Sequence, residues 1–290
     1  MRDERASRHP FYSITFVLFA FGSAPLYCQE SPAPAQPEKQ QASDKSGTNP
    51  ANFSKTLQVR EEYYSLKNGD LYGTQTELLY SQPLGGKWKL DFEVPFLVGT
   101  NAFGPNLYGL GDVSVTPKLR PYISRKLAVI AGVELTAPTG TRDQLSTNRW
   151  TLGPTITLAF FFPKQHLIFA PTYQDTFSLS DSSAAANFAS SGGDLNEGGA
   201  PVDPDATAGD IHKGVFDLYV VYQMSGGRQW ILIDPAITID YENNSKVTAS
   251  IAPAFGFFVA SGSSVTAQAV IPLTNGALDW GIKLTFKQVF

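Results

Sequence analysis

The last eleven residues, Trp280 to Phe290, alternate large apolar side chains with small or polar ones and stop on an aromatic. Successive side chains of an extended strand point to opposite faces. Trp280, Ile282, Leu284 and Phe286 therefore fall on one face, and Gly281, Lys283, Thr285 and Lys287 on the other. A strand of this kind suits the closing stave of a bacterial outer-membrane β-barrel, with its apolar face in lipid and its polar face in a wet lumen. Half-buried strands of soluble sandwiches also alternate, so the rest of the chain has to carry the same period.

It does so from Lys55 onward. A transmembrane strand takes about 9 to 11 residues and a hairpin about 20, so the 236 residues from Lys55 to Phe290 suit about ten to twelve strands. Twelve candidates can be placed, and the third is the clearest: Trp88, Leu90, Phe92, Val94 and Phe96 alternate with Lys89, Asp91 and Glu93. Asn68-Gly69 and Asn275-Gly276 are hairpin signals. Gly99 to Leu110 and Pro138 to Asn148 read as longer loops, and Ser178 to Lys213 as the longest. With the N-terminus in the periplasm, the connections leaving even-numbered strands are all short, and every long connection leaves an odd-numbered strand. Outer-membrane barrels sort their turns in this way, whereas a soluble sandwich has no reason to. The expected fold is all-β, a transmembrane antiparallel up-and-down β-barrel of about twelve strands over residues 55–290, located in the bacterial outer membrane with lipid around it.

The N-terminal part has a different composition. Arg2, Arg5 and Arg8 precede the short apolar run Phe11 to Ala24, the pattern of a secretory signal, assigned to residues 1–28. Gly22-Ser23-Ala24 resembles a small-residue cleavage site, but Pro25 after it obstructs processing, so a cut near Cys28 is also open. Residues 29–54, rich in Pro, Gln, Ala and Ser, read as a disordered periplasmic leader. Cys28 is the single cysteine, which excludes a disulfide and a cysteine metal site. The bulky Tyr27 before it argues against a lipid anchor. A net charge of −4 without a basic patch argues against a nucleic-acid partner. No cofactor is implied.

Charge on a lipid-facing wall is costly, so the strand charges are assigned to the lumen: Lys89, Asp91, Glu93, Asp112, Lys118, Arg120, Glu134, Asp217, Asp234, Lys283 and Lys287. Two readings stay open. Acids and bases on neighbouring strands pair and fill the barrel, or they line a narrow path for a small solute, as charged rings do in channels. The aromatics near strand ends, Tyr72, Tyr80, Trp88, Tyr108, Trp150, Tyr222, Trp230 and Trp280, are assigned to interfacial girdles.

Two stretches carry a family resemblance. Tyr108-Gly109-Leu110-Gly111-Asp112-Val113, running on to Lys118-Leu119-Arg120, and Glu134-Leu135-Thr136-Ala137-Pro138-Thr139-Gly140 resemble the paired GLGD and LPTG signatures of the phenol meta-pathway transporter family of outer-membrane β-barrel proteins. Ala137 stands where that family shows Leu. The resemblance implies an uptake barrel for hydrophobic or aromatic compounds. Read physically, Gly109 and Gly111 suit a loop re-entering a strand, Asp112 a turn cap, and Pro138-Thr139-Gly140 a strand end.

An enzyme is not expected. Nucleophilic catalysis needs a His beside a nucleophile. Of the three histidines, His9 lies in the signal, and neither His166 nor His212 sits in a hydrolase motif. The acidic loop Ser178 to Lys213, with Asp181, Asp194, Glu197, Asp203, Asp205 and Asp210, does not match a calcium-loop spacing. The expected function is a channel for small molecules in a monomeric barrel, inserted by the barrel-assembly machinery that reads terminal Phe290. The alternative is a non-conducting barrel with a filled lumen and adhesive or assembly loops.

Overall fold

The computed structural model describes residues 48–67, 71–102, 106–179, 210–224 and 227–290. The expected signal peptide, most of the expected leader and nearly all of the acidic loop lie outside them.

Among the described residues, thirteen strand segments form one antiparallel sheet. They are β1 (Thr56–Leu66), β2 (Tyr72–Pro83), β3 (Trp88–Thr100), β4 (Leu107–Gly109), β5 (Val113–Ile123), β6 (Leu127–Ala137), β7 (Thr151–Phe162), β8 (Leu167–Ser178), β9 (His212–Gln223), β10 (Gln229–Asp240), β11 (Lys246–Ala260), β12 (Ser263–Pro272) and β13 (Leu278–Val289). Both β4 and β5 pair with β3, so the two make one interrupted stave and the barrel has twelve. The sequence reading ended the preceding loop at Leu110, but Leu107, Tyr108 and Gly109 already bond to β3.

Closure is made by β1 and β13, which pair from Thr56↔Val289 to Leu66↔Leu278. A closed barrel leaves no strand edge, and this allows a sheet to sit in hydrocarbon, where an unpaired backbone group costs several kcal/mol. The connections alternate around the ring. Those at 84–87, 124–126, 163–166, 224–228 and 261–262, none longer than five residues, share one rim, and the other rim carries the long ones at 138–150 and 179–211 together with 67–71, 241–245 and 273–277. In this class of barrel the short-turn rim is periplasmic. The bacterial outer membrane is where such a barrel resides.

The outer wall is apolar, with Ile156, Leu158, Ile231, Ile233, Ile237, Phe255, Ile282 and Leu284 all exposed on it. Trp88, Tyr108, Trp150, Tyr222 and Trp280 are exposed as a girdle requires. Trp230 is not: it is 1 % exposed and points inward, contrary to the girdle assignment. Its register partner is Gly256, where an added Cβ would stand 2.1 Å from the indole. The missing side chain leaves the space into which the ring turns, and Phe258 meets it edge-on at 5.4 Å. Glu61 is the unexpected charge on the outer face of β1. Its carboxylate accepts hydrogen bonds from the Thr74 and Thr76 hydroxyls of β2.

Candidate functional site: the barrel lumen

The inner wall has two different halves. Across β13, β1, β2, β3 and β5 it is charged. Arg60 of β1 meets Glu62 at 2.9 Å and Glu93 at 3.6 Å and also binds Glu77, its cross-strand neighbour. Lys283 of β13 lies 3.7 Å from Glu62, its register partner across the closing seam. The Tyr64 hydroxyl donates to Glu62 at 2.9 Å, and the Gln75 amide to Glu77 at 3.0 Å. Lys89 and Lys118 stand directly opposite each other on β3 and β5. Like charges in such a pair repel. Here Asp91 offsets the repulsion, 3.0 Å from Lys89 and 3.1 Å from Lys118.

Across β6 to β11 the periplasmic half of the inner wall is apolar. Ala128 pairs with Ala159, and Phe161, Ile168, Val221, Leu232 and Ala254 follow one another across successive ladders. With Ile130, Ala170 and Trp230 they form one buried cluster. Ala51 and Phe53, from the segment before β1, pack against it. Residues 48–54, the end of the expected leader, are thus inside the barrel, with Ala51 1 % exposed. Their path is set locally: the Asn49 side chain accepts from the Ala51 N–H at 2.9 Å, and the Asn49 carbonyl from the Asn52 N–H at 3.0 Å, a turn suited to Asn-Pro. Arg120 donates to the carbonyls of Ala51 and Gly86 and lies 5.0 Å from the Phe53 ring centroid, with Lys89 5.4 Å away.

Above this segment lies a cavity of about 260 Å³, lined by Thr48, Pro50, Lys89, Lys118, Ile130, Thr155, Thr157, Ala170, Thr172, Gln174, Asp217 and Tyr219. A smaller space of about 80 Å³ at the periplasmic rim touches Asn49, Asn52, Lys89 and Lys287. Of the residues assigned from sequence, Lys89, Asp91 and Lys118 come together, Glu93 joins Arg60, and Lys283 joins Glu62. Asp217 is on the cavity wall, while Asp234 lies on the neighbouring inner face of β10. Glu134 accepts from the Thr136 hydroxyl at 3.4 Å.

Asp112 departs from its lumen assignment. It lies in the break between β4 and β5 and holds the following outer loop. Its carboxylate accepts from the Gly140 N–H at 3.0 Å, the Ser146 hydroxyl at 2.7 Å, and the Thr147 N–H and hydroxyl at 2.6 and 2.7 Å. The Leu110 N–H donates to the Thr141 hydroxyl at 3.0 Å and the Val113 N–H to the Thr139 hydroxyl at 2.9 Å. The two signature stretches are therefore halves of a single clasp. A Cβ on Gly109 would stand 2.3 Å from the Thr141 hydroxyl and one on Gly140 2.6 Å from Ser146, so the glycines allow the close approach.

Residues 64–260 match the family model described as "Putative MetA-pathway of phenol degradation". The chain belongs to this family. The match spans more than half of the sequence and includes both halves of the clasp. No curated protein matches the sequence. Among solved structures, the fold is similar to that of an outer membrane channel from Pseudomonas putida F1, at 16% identity and a TM-score of 0.61, covering 82% of this chain and 96% of that one. It is also similar to the NanC porin, at 15% identity and 0.52, covering 81% and 98%. The KdgM porin in complex with disordered oligogalacturonate follows at 10% and 0.50, covering 81% and 99%. At these identities the likeness is one of fold.

Sequence reading missed Arg60, Glu62 and Glu77 because Arg60-Glu61-Glu62 places charges on both faces of β1 and hides the alternation. It also missed the inner apolar cluster. A signal was present: Leu127 to Ala131 and Trp230 to Ile233 are continuous apolar runs, which mark strands covered on both faces.

Proposed function

We propose that this family member is a channel for small molecules whose periplasmic half is narrowed by its own residues 48–54. The observation that carries this reading is the cavity between the charged and apolar halves of the wall, lined by Lys89 and Lys118 on one side and by Ile130 and Ala170 on the other. The channel and porin descriptions of the similar structures support it. The apolar cluster and the family suit hydrophobic or aromatic solutes. We read the chain as a conduit and not an enzyme, as a monomer, and as a substrate of the barrel-assembly machinery through Phe290.

The second reading, a non-conducting barrel with adhesive or assembly loops, draws on the packing of Ala51 and Phe53 into the apolar cluster. Single-channel recording in planar bilayers separates the two. The channel reading expects small openings from the full chain, and larger or more frequent ones after Phe53→Ala or Arg120→Ala, which loosen the segment. No current from inserted barrels of either kind would sink it.

A further inference from the structure

The charges around the cavity are not scattered. On the side of β3 and β5, Lys89 and Lys118 share the carboxylate of Asp91, and of these three groups it is the two lysines that line the cavity. Four staves further round, Asp217 of β9 presents a carboxylate to the same cavity, with Asp234 beside it on β10. Between the two walls, Ile130 and Ala170 offer apolar surface and Thr155, Thr157 and Thr172 offer hydroxyls, and Tyr219 lines the cavity from the same strand as Asp217. Gly132 contributes to the arrangement. An added Cβ there would stand 3.1 Å from the Lys118 stem and 2.9 Å from the Thr155 hydroxyl, so its absence lets the lysine lie along the wall.

A site polarised across its width favours a solute polarised along its length, because opposite ends then each meet an opposite charge. The volume of about 260 Å³ is below the ~300–1,000 Å³ of pockets for drug-sized ligands, which limits the solute to a small molecule.

We infer that the cavity binds a small dipolar solute with an apolar middle, its carboxylate toward Lys89 and Lys118 and an ammonium or other hydrogen-bond donor toward Asp217. This sharpens the channel reading and rests on it for physiological meaning, but the binding can be measured apart from conduction. The test uses the refolded full chain in detergent and isothermal titration with four ligands of one scaffold: 4-(aminomethyl)benzoate, benzoate, benzylammonium and neutral benzyl alcohol. The dipolar ligand is expected to bind about tenfold tighter than either singly charged one, the scale of one charge-assisted contact. Asp217→Asn should lower it to the level of benzoate and Lys118→Gln to that of benzylammonium, with cold and heated electrophoretic mobility reporting that each variant is folded. Equal affinity for all four ligands, or no binding of any, overturns the inference. The four-ligand comparison on the unaltered barrel decides the matter even where a variant fails to fold. Swelling of proteoliposomes in a neutral pentose reports conduction separately. Pentose flux without ligand discrimination keeps the channel and sinks the site, and discrimination without flux does the reverse.

Discussion

Arg60 shows how a single side chain holds several others in this lumen. Glu62 and Glu77 have fully buried side chains and depend on it, with Lys283 as the further cation. Removing one partner of a buried ion pair strands the others, so Arg60→Ala should destabilise the barrel by about 3 to 5 kcal/mol, read from urea unfolding in lipid vesicles. Replacing Glu62 and Glu77 by Gln in the same chain should recover most of that loss, and no recovery would show that Arg60 acts through packing alone. Gly256 is a steric counterpart. A Val there would strike the Trp230 ring, at an overpacking cost of about 1 to 3 kcal/mol, seen as a lowered unfolding midpoint and a changed tryptophan emission maximum. Lys89, Asp91 and Lys118 could be assigned to the lumen from sequence, because alternation puts them on one face. That Asp91 bridges the two lysines could not, since it depends on the register between β3 and β5.

Among the elements, the clasp between the β4–β5 break and the loop before β7 joins two stretches some thirty residues apart. Asp112 alone accepts four of its hydrogen bonds. Asp112→Ala should free the 138–150 loop, and limited proteolysis from outside intact cells should then cut within it while the barrel stays folded. A loop as resistant as the wild type would assign Asp112 no such role. The sequence marked these residues as turn formers and as family signatures, but the pairing of one motif with the other is a tertiary contact. The segment 48–54 is a similar case. Its composition predicts a chain that cannot build a core of its own, yet Ala51 and Phe53 need only enter a core built by β6 to β11.

For the whole molecule, side-chain alternation has to agree with the ladders on both sides of every stave. An alanine inserted between Gly281 and Ile282 would turn Lys283 and Lys287 toward lipid, at up to about 2 to 4 kcal/mol per lysine near the midplane. The insertion should abolish heat-modifiable mobility in electrophoresis, while the same insertion in the outer turn 273–277 should not. Normal mobility in the first case would mean that a bulge absorbs the extra residue. The sequence by itself determined the all-β class, the twelve-stave count, the lipid-facing side of most strands and the sorting of short and long connections. All of these follow from a period of two and from turn chemistry, which are local. The tertiary structure decided how the lumen is divided: which charges pair, where the apolar cluster lies, that residues 48–54 enter, and that a cavity remains. These depend on which staves become neighbours when the sheet closes and on what fills the space enclosed, and neither is encoded within any one strand.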